Sequence, residues 1–359
     1  MSQAVADSAQ DLHALAKAAE QPLYRIREDG RYGFMNEHGE TIIQPQYLEA
    51  EPFQGHFTRV RFNDKLVPLD RLGRLLLRHV FNYVGNFSEG RARALIVTRW
   101  GYIDETGALV IDAIYDDAGD FAEGLAAVKQ EGKVGCIDVA GAFVIDPKFE
   151  RIGKFVDGLA PATLDGRTGF IDRKGDWVIQ PLLHDASAMQ NEVAVFSDGE
   201  RWGLIDRSGQ VVVNASYPIP EAGLESLTFS EGWLETQLPD GWTYLNDAGD
   251  LMSASRYEAA QRFSGGLGAV MQDGTFGYID KEGQWVIDPL YDEVLPFSEG
   301  FAATRRGEWW AFIDEAGQEL STDRYDQLGE FSNGLAWCLH GDLWCYVNAD
   351  GQEVWREAA

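Results

Sequence analysis

A 34-residue period runs through almost the whole chain and restricts the fold to a tandem repeat, because self-similarity at a fixed period is the signature of repeat architectures. The period is carried by the motif aromatic-Gly-aromatic-Ile-Asp-x-x-Gly, seen in WGYIDETG at residues 100–107. Its last glycine recurs ten times, at intervals of 34 residues except for one of 40: Gly39, Gly73, Gly107, Gly141, Gly175, Gly209, Gly249, Gly283, Gly317 and Gly351. An Asp or Asn stands three residues earlier in every copy: Asn36, Asp70, Asp104, Asp138, Asp172, Asp206, Asn246, Asp280, Asp314 and Asn348.

A second anchor, Phe-x-x-Gly, keeps the same register. Its aromatic residue recurs in eight copies, with Met189 in one further slot: Phe53, Phe87, Phe121, Phe155, Phe229, Phe263, Phe297 and Phe331. Two anchors in one register predict ten copies of a single structural unit, which we number one to ten by the turn glycine.

Residues 275–307 predict the structure of one unit. The segments FGYID and QWVID are rich in β-branched and aromatic residues, which favour strands. Between them, Gly283 permits φ > 0 and the Asp280 carboxylate can accept backbone amides two residues on, so a hairpin turn is expected. Pro289 is expected to end the second strand, because proline cannot donate to a ladder. A turn at 298–300 then leads to FAATR.

Each unit is therefore predicted to be a three-stranded antiparallel meander followed by a connecting segment. We name strand A for the aromatic-Gly motif, strand B for the segment after the Asp-x-x-Gly turn, and strand D for the segment before A. Residues 23–28 then supply the first D strand, and residues 342–357 supply the last A–B hairpin.

Small sheets cannot bury an apolar face alone, so the copies must stack. The predicted fold is an all-β tandem array, with an open superhelix or solenoid favoured over a closed β-propeller, whose blades usually need about 40–45 residues. Residues 8–20 predict a short amphipathic helix capping an open end, with Ser8 as N-cap. The predicted organisation is an N-terminal cap at 1–22 and a repeat array at 23–357, with a hinge or specialised loop at 183–232.

The extended motif, aromatic-Gly-aromatic-Ile-Asp-x-x-Gly-x-aromatic-Val-Ile-x-Pro-x-Tyr-Asp followed by Phe-x-Glu-Gly-Leu-Ala, resembles the bacterial WG-repeat family over about residues 31–357. The best copies contain WGYIDETG, FGYIDKEG, IDPLYD and PFSEGFA. The resemblance implies a bacterial protein that binds macromolecules, and it implies no shared reaction or cofactor.

The charge of the chain limits its partners. Asp and Glu number 58 against 30 Lys and Arg, a formal charge of −28. This balance opposes binding to nucleic acid, which needs cations at phosphates, and opposes binding to anionic membranes. It permits a basic protein partner, with solubility of a long β protein as the alternative explanation.

The N-terminal residues lack the basic and apolar regions of a signal peptide, and no stretch of 18 apolar residues predicts a membrane span. We therefore expect a cytoplasmic protein. Cys136, Cys338 and Cys345 are too few and too irregularly spaced for a disulfide framework, and are expected to be small buried residues.

The second copy departs furthest from the motif and is basic. Between Arg59 and Arg99 there are nine basic residues against three acidic ones. Such a segment could orient an acidic partner, or its charges could pair with acidic neighbouring copies in the same molecule. The candidate partner-binding residues here are Arg71, Arg74, Arg78, His79, Arg91 and Arg93.

The fifth and sixth copies depart differently, because residues 183–197 lose the Tyr, the Phe and the turn Gly, and residues 217–232 carry the six extra residues of the 40-residue interval. Insertions in repeat arrays map to loops on one face, often the binding face. Pro218 and Pro220 limit the freedom of this loop before binding. Tyr217, Pro218 and Pro220 are therefore candidate partner contacts, with a tolerated insertion of no function as the alternative.

No residue type in the chain predicts catalysis, a metal or a cofactor. The histidines and cysteines lack zinc-ligand spacing, one turn Asp per copy is too sparse for calcium, and no glycine cluster precedes a helix as a phosphate loop requires. Five tryptophans share one register of the repeat and are expected to be buried at the interfaces between copies: Trp100, Trp202, Trp242, Trp310 and Trp344. The off-register Trp309, Trp337 and Trp355 are candidate partner contacts.

The favoured function is a non-catalytic protein-binding scaffold of a bacterial cytoplasm, in its sharpest form an acidic, immunity-type antagonist of a basic protein. The alternative is a carbohydrate or cell-wall binder, which the aromatic content favours.

Overall fold

The computed structural model describes residues 21–358, apart from residues 54, 56, 63, 64, 76–80 and 254. The chain divides into two compact units, one running to Lys148 and resuming at Val354, the other spanning Phe149–Glu353. The boundary lies outside the 183–232 segment predicted as a hinge. The predicted cap helix at 8–20 lies outside the described residues.

The described strands form ten small antiparallel sheets, one for each predicted copy. Copies one to five contain β1 (Tyr24–Glu28), β2 (Arg31–Met35), β3 (Thr41–Tyr47); β4 (Phe57–Phe62), β5 (Lys65–Asp70); β6 (Phe81–Val84), β7 (Ala92–Ile96), β8 (Arg99–Ile103), β9 (Leu109–Tyr115); β10 (Asp117–Ala118), β11 (Leu125–Gln130), β12 (Lys133–Asp138), β13 (Phe143–Phe149); β14 (Arg151–Ile152), β15 (Leu159–Leu164), β16 (Arg167–Asp172) and β17 (Trp177–Leu183).

Copies six to ten contain β18 (Asp185–Ala186), β19 (Val193–Ser197), β20 (Arg201–Asp206), β21 (Val211–Pro218); β22 (Trp233–Leu238), β23 (Gly241–Asn246); β24 (Ala259–Ser264), β25 (Leu267–Gln272), β26 (Thr275–Ile279), β27 (Trp285–Tyr291); β28 (Glu293–Val294), β29 (Phe301–Arg306), β30 (Trp309–Asp314); β31 (Gln327–Leu328), β32 (Leu335–His340), β33 (Leu343–Asn348) and β34 (Glu353–Arg356). A single 3-10 turn, Leu224–Ser226, lies in the insertion.

The predicted meander is confirmed in outline, and the connector adds a strand to it. In copy five the order is β14-β15-β16-β17, with every neighbour antiparallel, so D, A and B are β15, β16 and β17. Seven of the ten described sheets begin with such a connector strand, usually of only two residues. The three-stranded unit of the prediction is therefore incomplete.

The Asp-x-x-Gly turn has the predicted chemistry. In copy five, Asp172 Oδ1 accepts the amides of Lys174 at 2.8 Å and Asp176 at 3.0 Å, while Gly175 N donates to the Asp172 carbonyl at 3.0 Å. All ten turn glycines have φ between 75° and 88°, a region that costs other residues steric strain. The turn thus explains why both residues recur in every copy.

The glycine of the aromatic-Gly pair permits close approach of strand B. A Cβ on Gly169 would lie 2.3 Å from the carbonyl oxygen of Ile179. Here β17 bulges, because Thr168 opposes Leu183 while Phe170 opposes Ile179. Pro181 lies in this bulge, where no ladder donor is needed.

The prediction that Pro289 ends strand B is therefore wrong. Pro289 lies inside β27, in the equivalent bulge opposite Gly277. Its missing N–H costs no ladder bond there.

Where another residue replaces this glycine, strand B shortens or is lost. The six copies with glycine have B strands of seven or eight residues. The replacements are Val67, Thr243, Ala311 and Cys345. Copies two, seven and nine then show no B strand among the described residues, and that of copy ten has four residues.

Within each unit the core is a series of clusters, most of them shared by two consecutive copies. In one, Tyr278 of copy eight packs edge-on against Phe297 at 4.8 Å and donates its hydroxyl to the Leu295 carbonyl at 2.9 Å. Such aromatic pairs contribute about 0.5–1.5 kcal/mol beyond their buried area. The pairs Tyr102–Phe121 and Tyr244–Phe263 repeat this geometry, which explains the Phe anchor.

A Ser-Glu-Gly turn also joins consecutive copies. Ser298 Oγ donates to the Phe331 carbonyl at 2.7 Å, and the Glu299 carboxylate accepts the amides of Asn333 at 2.6 Å and Gly334 at 2.7 Å. Glu299 has φ of 53°, a conformation that costs a residue with a side chain about 1–2 kcal/mol. The charge-assisted bonds offset that strain.

The cysteines differ in part from expectation. Cys136 is a buried free thiol, and burial raises its pKa to about 12. Cys338 and Cys345 are buried too, but they oppose each other on β32 and β33 and form a disulfide with Cα atoms 4.9 Å apart. The expectation that the cysteines would not pair is thus corrected, since strand register, rather than sequence spacing, brings these two together.

Candidate interaction groove at the sixth and seventh copies

A groove of about 750 Å³ opens where the 34-residue period is interrupted. Its walls come from the A–B hairpin of copy six and the D–A turn of copy seven. The lining residues are Glu200, Arg201, Ser216, Tyr217, Pro218, Gln237, Leu238 and Pro239. Two of the predicted partner contacts, Tyr217 and Pro218, therefore line it.

Tyr217 forms an aromatic surface in the groove wall. Its ring is half-buried and packs on the indole of Trp202, which is 2% exposed, with ring centroids 4.6 Å apart. Burial raises the pKa of the Tyr217 phenol, so the group stays neutral and can donate a hydrogen bond. A rigid ring with a polar tip is typical of protein contact sites.

The opposite charges of Glu200 and Arg201 stand side by side on the same wall, and both side chains are exposed. Arg201 begins β20, and its Nη1 donates to the Ser216 carbonyl at 2.6 Å. This bond fixes the guanidinium across the end of β21. The groove is thus polar at its mouth and aromatic deeper in.

The insertion is packed in place rather than left as a free loop. Leu224 and Leu227 are each 6% exposed and join a cluster with Trp202. Gln190 brackets the segment, because its Nε2 donates to the Leu227 carbonyl at 3.1 Å and its Oε1 accepts the Phe229 amide at 2.9 Å. Pro220 belongs to this insertion but does not line the groove.

Beside the groove, the outer edge of β22 is unpaired. In the β22–β23 hairpin, hydrogen-bonded residue pairs alternate with non-hydrogen-bonded pairs, starting with the hydrogen-bonded pair Leu238–Gly241. Glu235 and Gln237 fall in non-hydrogen-bonded pairs, so their backbone N–H and C=O groups point away from β23. In copy four the equivalent carbonyls accept connector amides, Gly119 N to Ala127 and Asp116 N to Lys129, both at 2.8 Å. Among the described residues, no connector strand pairs with β22.

Glu235 was not predicted from the sequence. Its Oε2 is buried without a hydrogen-bond partner among the described residues. Burial raises the pKa of the carboxyl against the opposing effects of a hydrogen bond to the backbone of Glu235 itself and of the charge of Arg262. In the first three copies the same register position holds Arg25, Arg59 and Arg93. This reversal of charge at one repeat position was the signal available in the sequence.

The predicted basic residues are largely engaged inside the first unit. Arg71 is 9% exposed and donates to the carbonyls of Gly55 and Gln21. Arg74 pairs with Asp70 at 2.7 Å, and Arg93 Nη1 donates to the Ala118 carbonyl at 2.9 Å.

Arg91 Nη1 donates to the Gly90 carbonyl at 2.9 Å. Arg78 and His79 lie outside the described residues, and none of the four predicted basic residues that the structure describes lines the groove. Their role in partner binding stays a prediction.

The off-register tryptophans differ in exposure. Trp309, at the start of β30, is 45% exposed, and Trp337, on β32, is 38% exposed, while Trp355 is half-buried. All three lie outside the groove lining.

Charge is distributed unevenly along the repeats. Residues 233–353, which hold copies seven to ten, contain 22 acidic and 6 basic residues, a formal charge of −16. More than half of the net negative charge therefore lies in four copies.

No helix among the described residues has the length and hydropathy that a bilayer crossing requires. No three His, Cys, Asp or Glu side chains of that part of the chain are grouped as metal ligands would be.

The fold and the groove define a tandem β-repeat protein with one interrupted copy. Eight segments match the family model described as WG containing repeat: residues 32–65, 69–96, 100–133, 135–167, 169–201, 242–275, 276–308 and 310–344. The chain therefore belongs to the WG containing repeat family. None of the eight matches includes residues 202–241, which hold most of the groove lining.

Comparison with solved structures supports the fold alone. A structure titled as that of the eukaryotic initiation factor has 12% sequence identity and a TM-score of 0.53, with 94% of this chain and 96% of that chain covered. Kluyveromyces lactis Hsv2p has 13% identity and a TM-score of 0.32, covering 65% and 95% respectively. PorZ of Porphyromonas gingivalis, a component of the type-IX secretion system, has 12% identity and a TM-score of 0.30, covering 92% and 50%. No curated protein matches the chain.

Proposed function

We propose that this protein is a non-catalytic protein-binding module and that the groove at the sixth and seventh copies is its binding site. One observation carries the proposal: the only interval that breaks the 34-residue period adds six residues beside a groove of about 750 Å³. A half-buried aromatic ring beside an Arg suits recognition of a polypeptide, because aromatic residues and Arg are enriched at protein–protein interfaces.

The partner we propose is basic, and the protein acts as its acidic, immunity-type antagonist in a bacterial cytoplasm. The formal charge of −16 in residues 233–353 supports this choice, because complementary charge speeds association and selects against acidic partners. The screening of such charges by salt gives the proposal a direct test.

The experiment is capture of partners from a lysate of the native host by the full chain, at low and high salt, with Tyr217→Ala as the test variant. Leu182→Ala is the matched control, because Leu182 is 78% exposed on β17 and lies outside the groove. We expect one basic protein to be captured at low salt, lost at high salt, and held about tenfold more weakly by Tyr217→Ala. Equal binding by both variants would exclude the groove.

A carbohydrate-binding function has separate support from the exposed rings of Trp309 and Trp337, since exposed aromatic rings can stack on sugars. Retention on peptidoglycan that is unaffected by salt, and lost in a Trp309→Ala/Trp337→Ala double variant, would favour this second candidate over the first.

The arrangement of the ten copies is also part of the proposal. The two alternatives are an open superhelix, which the sequence favours, and a closed ring. One contact inside the first unit favours the ring, because Arg27 donates to both carboxylate oxygens of Glu357, at 2.8 and 2.9 Å. Small-angle X-ray scattering separates the two, since an open array has a larger radius of gyration than a ring of equal mass.

A further inference from the structure

We propose that the unpaired edge of β22 binds an extended segment of the partner as an added strand, and that a Lys or Arg in this segment pairs with Glu235. The inference rests on the proposed function and names the kind of partner segment that the groove accepts. Strand addition supplies affinity through main-chain hydrogen bonds and specificity through alternate side chains.

The rest of the molecule shows what this edge ordinarily binds. In copies four, five and nine, two residues of the connector pair with strand D: Asp117–Ala118, Arg151–Ile152 and Glu293–Val294. In copy seven the connector is diverted into the insertion, where Leu224 and Leu227 are buried. Strand D of copy seven is therefore left with one edge free.

Gln237 connects this free edge to the groove. It lines the groove, and none of its backbone groups has a hydrogen bond to a described residue on the side away from β23. A strand placed there would satisfy the N–H and C=O of Gln237 and the C=O of Glu235, groups that the connector satisfies in copy four. One end of the strand would then lie at the groove mouth.

The register of copy four gives the chemistry of the bound segment. There Asp117 opposes Lys129, Ala118 opposes Val128, and Gly119 N bonds the Ala127 carbonyl. Transferred to copy seven, the first residue of the segment opposes Gln237, the second Thr236 and the third Glu235. Side chains of opposed residues lie on one face of a sheet with Cβ atoms about 5 Å apart.

The third residue is therefore the one that reaches Glu235. The Glu235 Oε2 is buried and has no hydrogen-bond partner among the described residues, although the charge of Arg262 acts on the carboxyl. A buried carboxylate oxygen without a hydrogen bond favours a cation beside it. The second residue must be small or aliphatic, as Ala118, Ile152 and Val294 are in the equivalent strands. In the equivalent strands the third residue is Gly119, Gly153 or Leu295, opposite the uncharged Ala127, Pro161 or Ala303. Because Glu235 replaces these uncharged residues, the predicted segment is polar, then aliphatic, then Lys or Arg.

The strands at the opposite edge of the sheets are less suited than β22 to pair with a strand of another chain. Pro147, Pro181 and Pro289 lie within β13, β17 and β27. Proline removes a donor from an edge and blocks pairing with another chain. The edge of β22 carries no proline between Trp233 and Leu238.

Hydrogen exchange of the full chain tests the free edge directly. We expect the Gln237 amide to exchange at least about a hundredfold faster than the Arg305 amide, its equivalent in copy nine, where β28 pairs with β29. Comparable protection of the two amides in the free protein would mean that the edge is already occupied, and the proposal would be wrong.

Binding is tested with the fluorescein-labelled synthetic peptide Thr-Thr-Ala-Lys-Val-Thr and its Lys→Glu counterpart, measured by fluorescence polarisation. We expect the Lys peptide to bind the natural protein at least tenfold more tightly than the Glu peptide, and Glu235→Gln to abolish this preference. Absence of binding up to about 1 mM peptide would overturn strand addition.

The matched pair Gln237→Pro and Gln237→Ala isolates the backbone. Pro removes the N–H, whereas Ala keeps it and removes the same side chain, so only Gln237→Pro should weaken peptide binding, by at least tenfold. Equal peptide affinity of the two variants overturns the proposal. If Gln237→Pro does not fold, hydrogen exchange of the Gln237 amide in the natural protein is the deciding measurement. Capture of the basic partner by Gln237→Pro at the natural level would refute strand addition while leaving the proposed function intact.

Discussion

Copies five and seven share one period and one turn, yet they form different sheets. Copy five has four strands, β14 to β17, whereas the described residues of copy seven form only β22 and β23. The turn is intact in both, since Asn246 Oδ1 accepts the Asp250 amide at 2.7 Å and Gly249 has φ of 88°. The D–A hairpin and its turn therefore form without either flanking strand.

Two sequence changes account for the difference. Thr243 stands where copy five has Gly169, so the Cβ-free position over which strand B bulges is lost. The connector of copy seven is the insertion, so the short strand before D is lost too. A repeat can thus give up both edge strands. The segment after the turn keeps isolated bridges to β23 through Leu251 and Tyr257, so only the β22 side of the hairpin has backbone left for binding.

The largest effect is expected from Gly169→Val. The new Cβ would lie 2.3 Å from the Ile179 oxygen, so β17 must move or detach. We expect a loss of about 3 kcal/mol in the free energy of unfolding, measured by urea denaturation with a fluorescence probe. An unfolding midpoint equal to that of the natural protein would show that the bulge does not need glycine.

The next largest effect is expected from Glu235→Gln in copy seven, and it depends on pH. Because burial raises the folded-state pKa of Glu235, the charged form destabilises the folded protein above that pKa, and the penalty disappears as the pH falls through it. Glu235→Gln should therefore be more stable than the natural protein by about 1 kcal/mol near pH 7. The difference should vanish near pH 4. Calorimetry at both pH values checks this, and a pH-independent difference would contradict it.

An effect of similar size and opposite sign is expected from Ser298→Ala, which removes the hydrogen bond from the hydroxyl to the Phe331 carbonyl of the next copy. We expect a loss of about 1 kcal/mol in unfolding free energy. Ser332→Ala is the control, since the hydroxyl of Ser332 at the same turn position donates to no described residue. Equal destabilisation by the two variants would show that the inter-copy bond does not matter.

The smallest effect is expected from Thr243→Val in copy seven, the counterpart of Gly169→Val. Thr243 is fully buried, and its Oγ1 has no hydrogen-bond partner among the described residues. Replacing that hydroxyl by a methyl group of similar size should leave stability unchanged or raise it by less than about 1 kcal/mol. Destabilisation as large as that of Gly169→Val would end the contrast between the two copies.

Much of the fold follows from local chemistry and was predictable. The turn residues, exemplified by Asp172 and Gly175, act within five residues of each other, so the period alone located ten turns and their strands. The two-residue connector strands were missed because two residues carry no periodicity. The position of Pro289 was misjudged because its bulge depends on Gly277, which lies on another strand.

The site was predictable only in part, for the same reason. The broken period located Tyr217 and Pro218 in the groove wall. The edge of β22 is open because no described connector strand pairs with it. The pKa of Glu235 is raised by its burial, which depends on the packing of neighbouring segments. Arg71 and Arg93 were chosen for charge, yet carbonyls elsewhere in the first unit accept their hydrogen bonds.

The Ser-Glu-Gly turns have a consequence for how such chains can change length. Their hydrogen bonds reach only to residues 33 to 35 positions ahead. An in-frame duplication or deletion of 34 residues recreates the same bonds at the new junction, whereas other lengths misplace them. Copy number can therefore drift in whole repeats by recombination, and the 40-residue interval is the one step that such exchange would not produce.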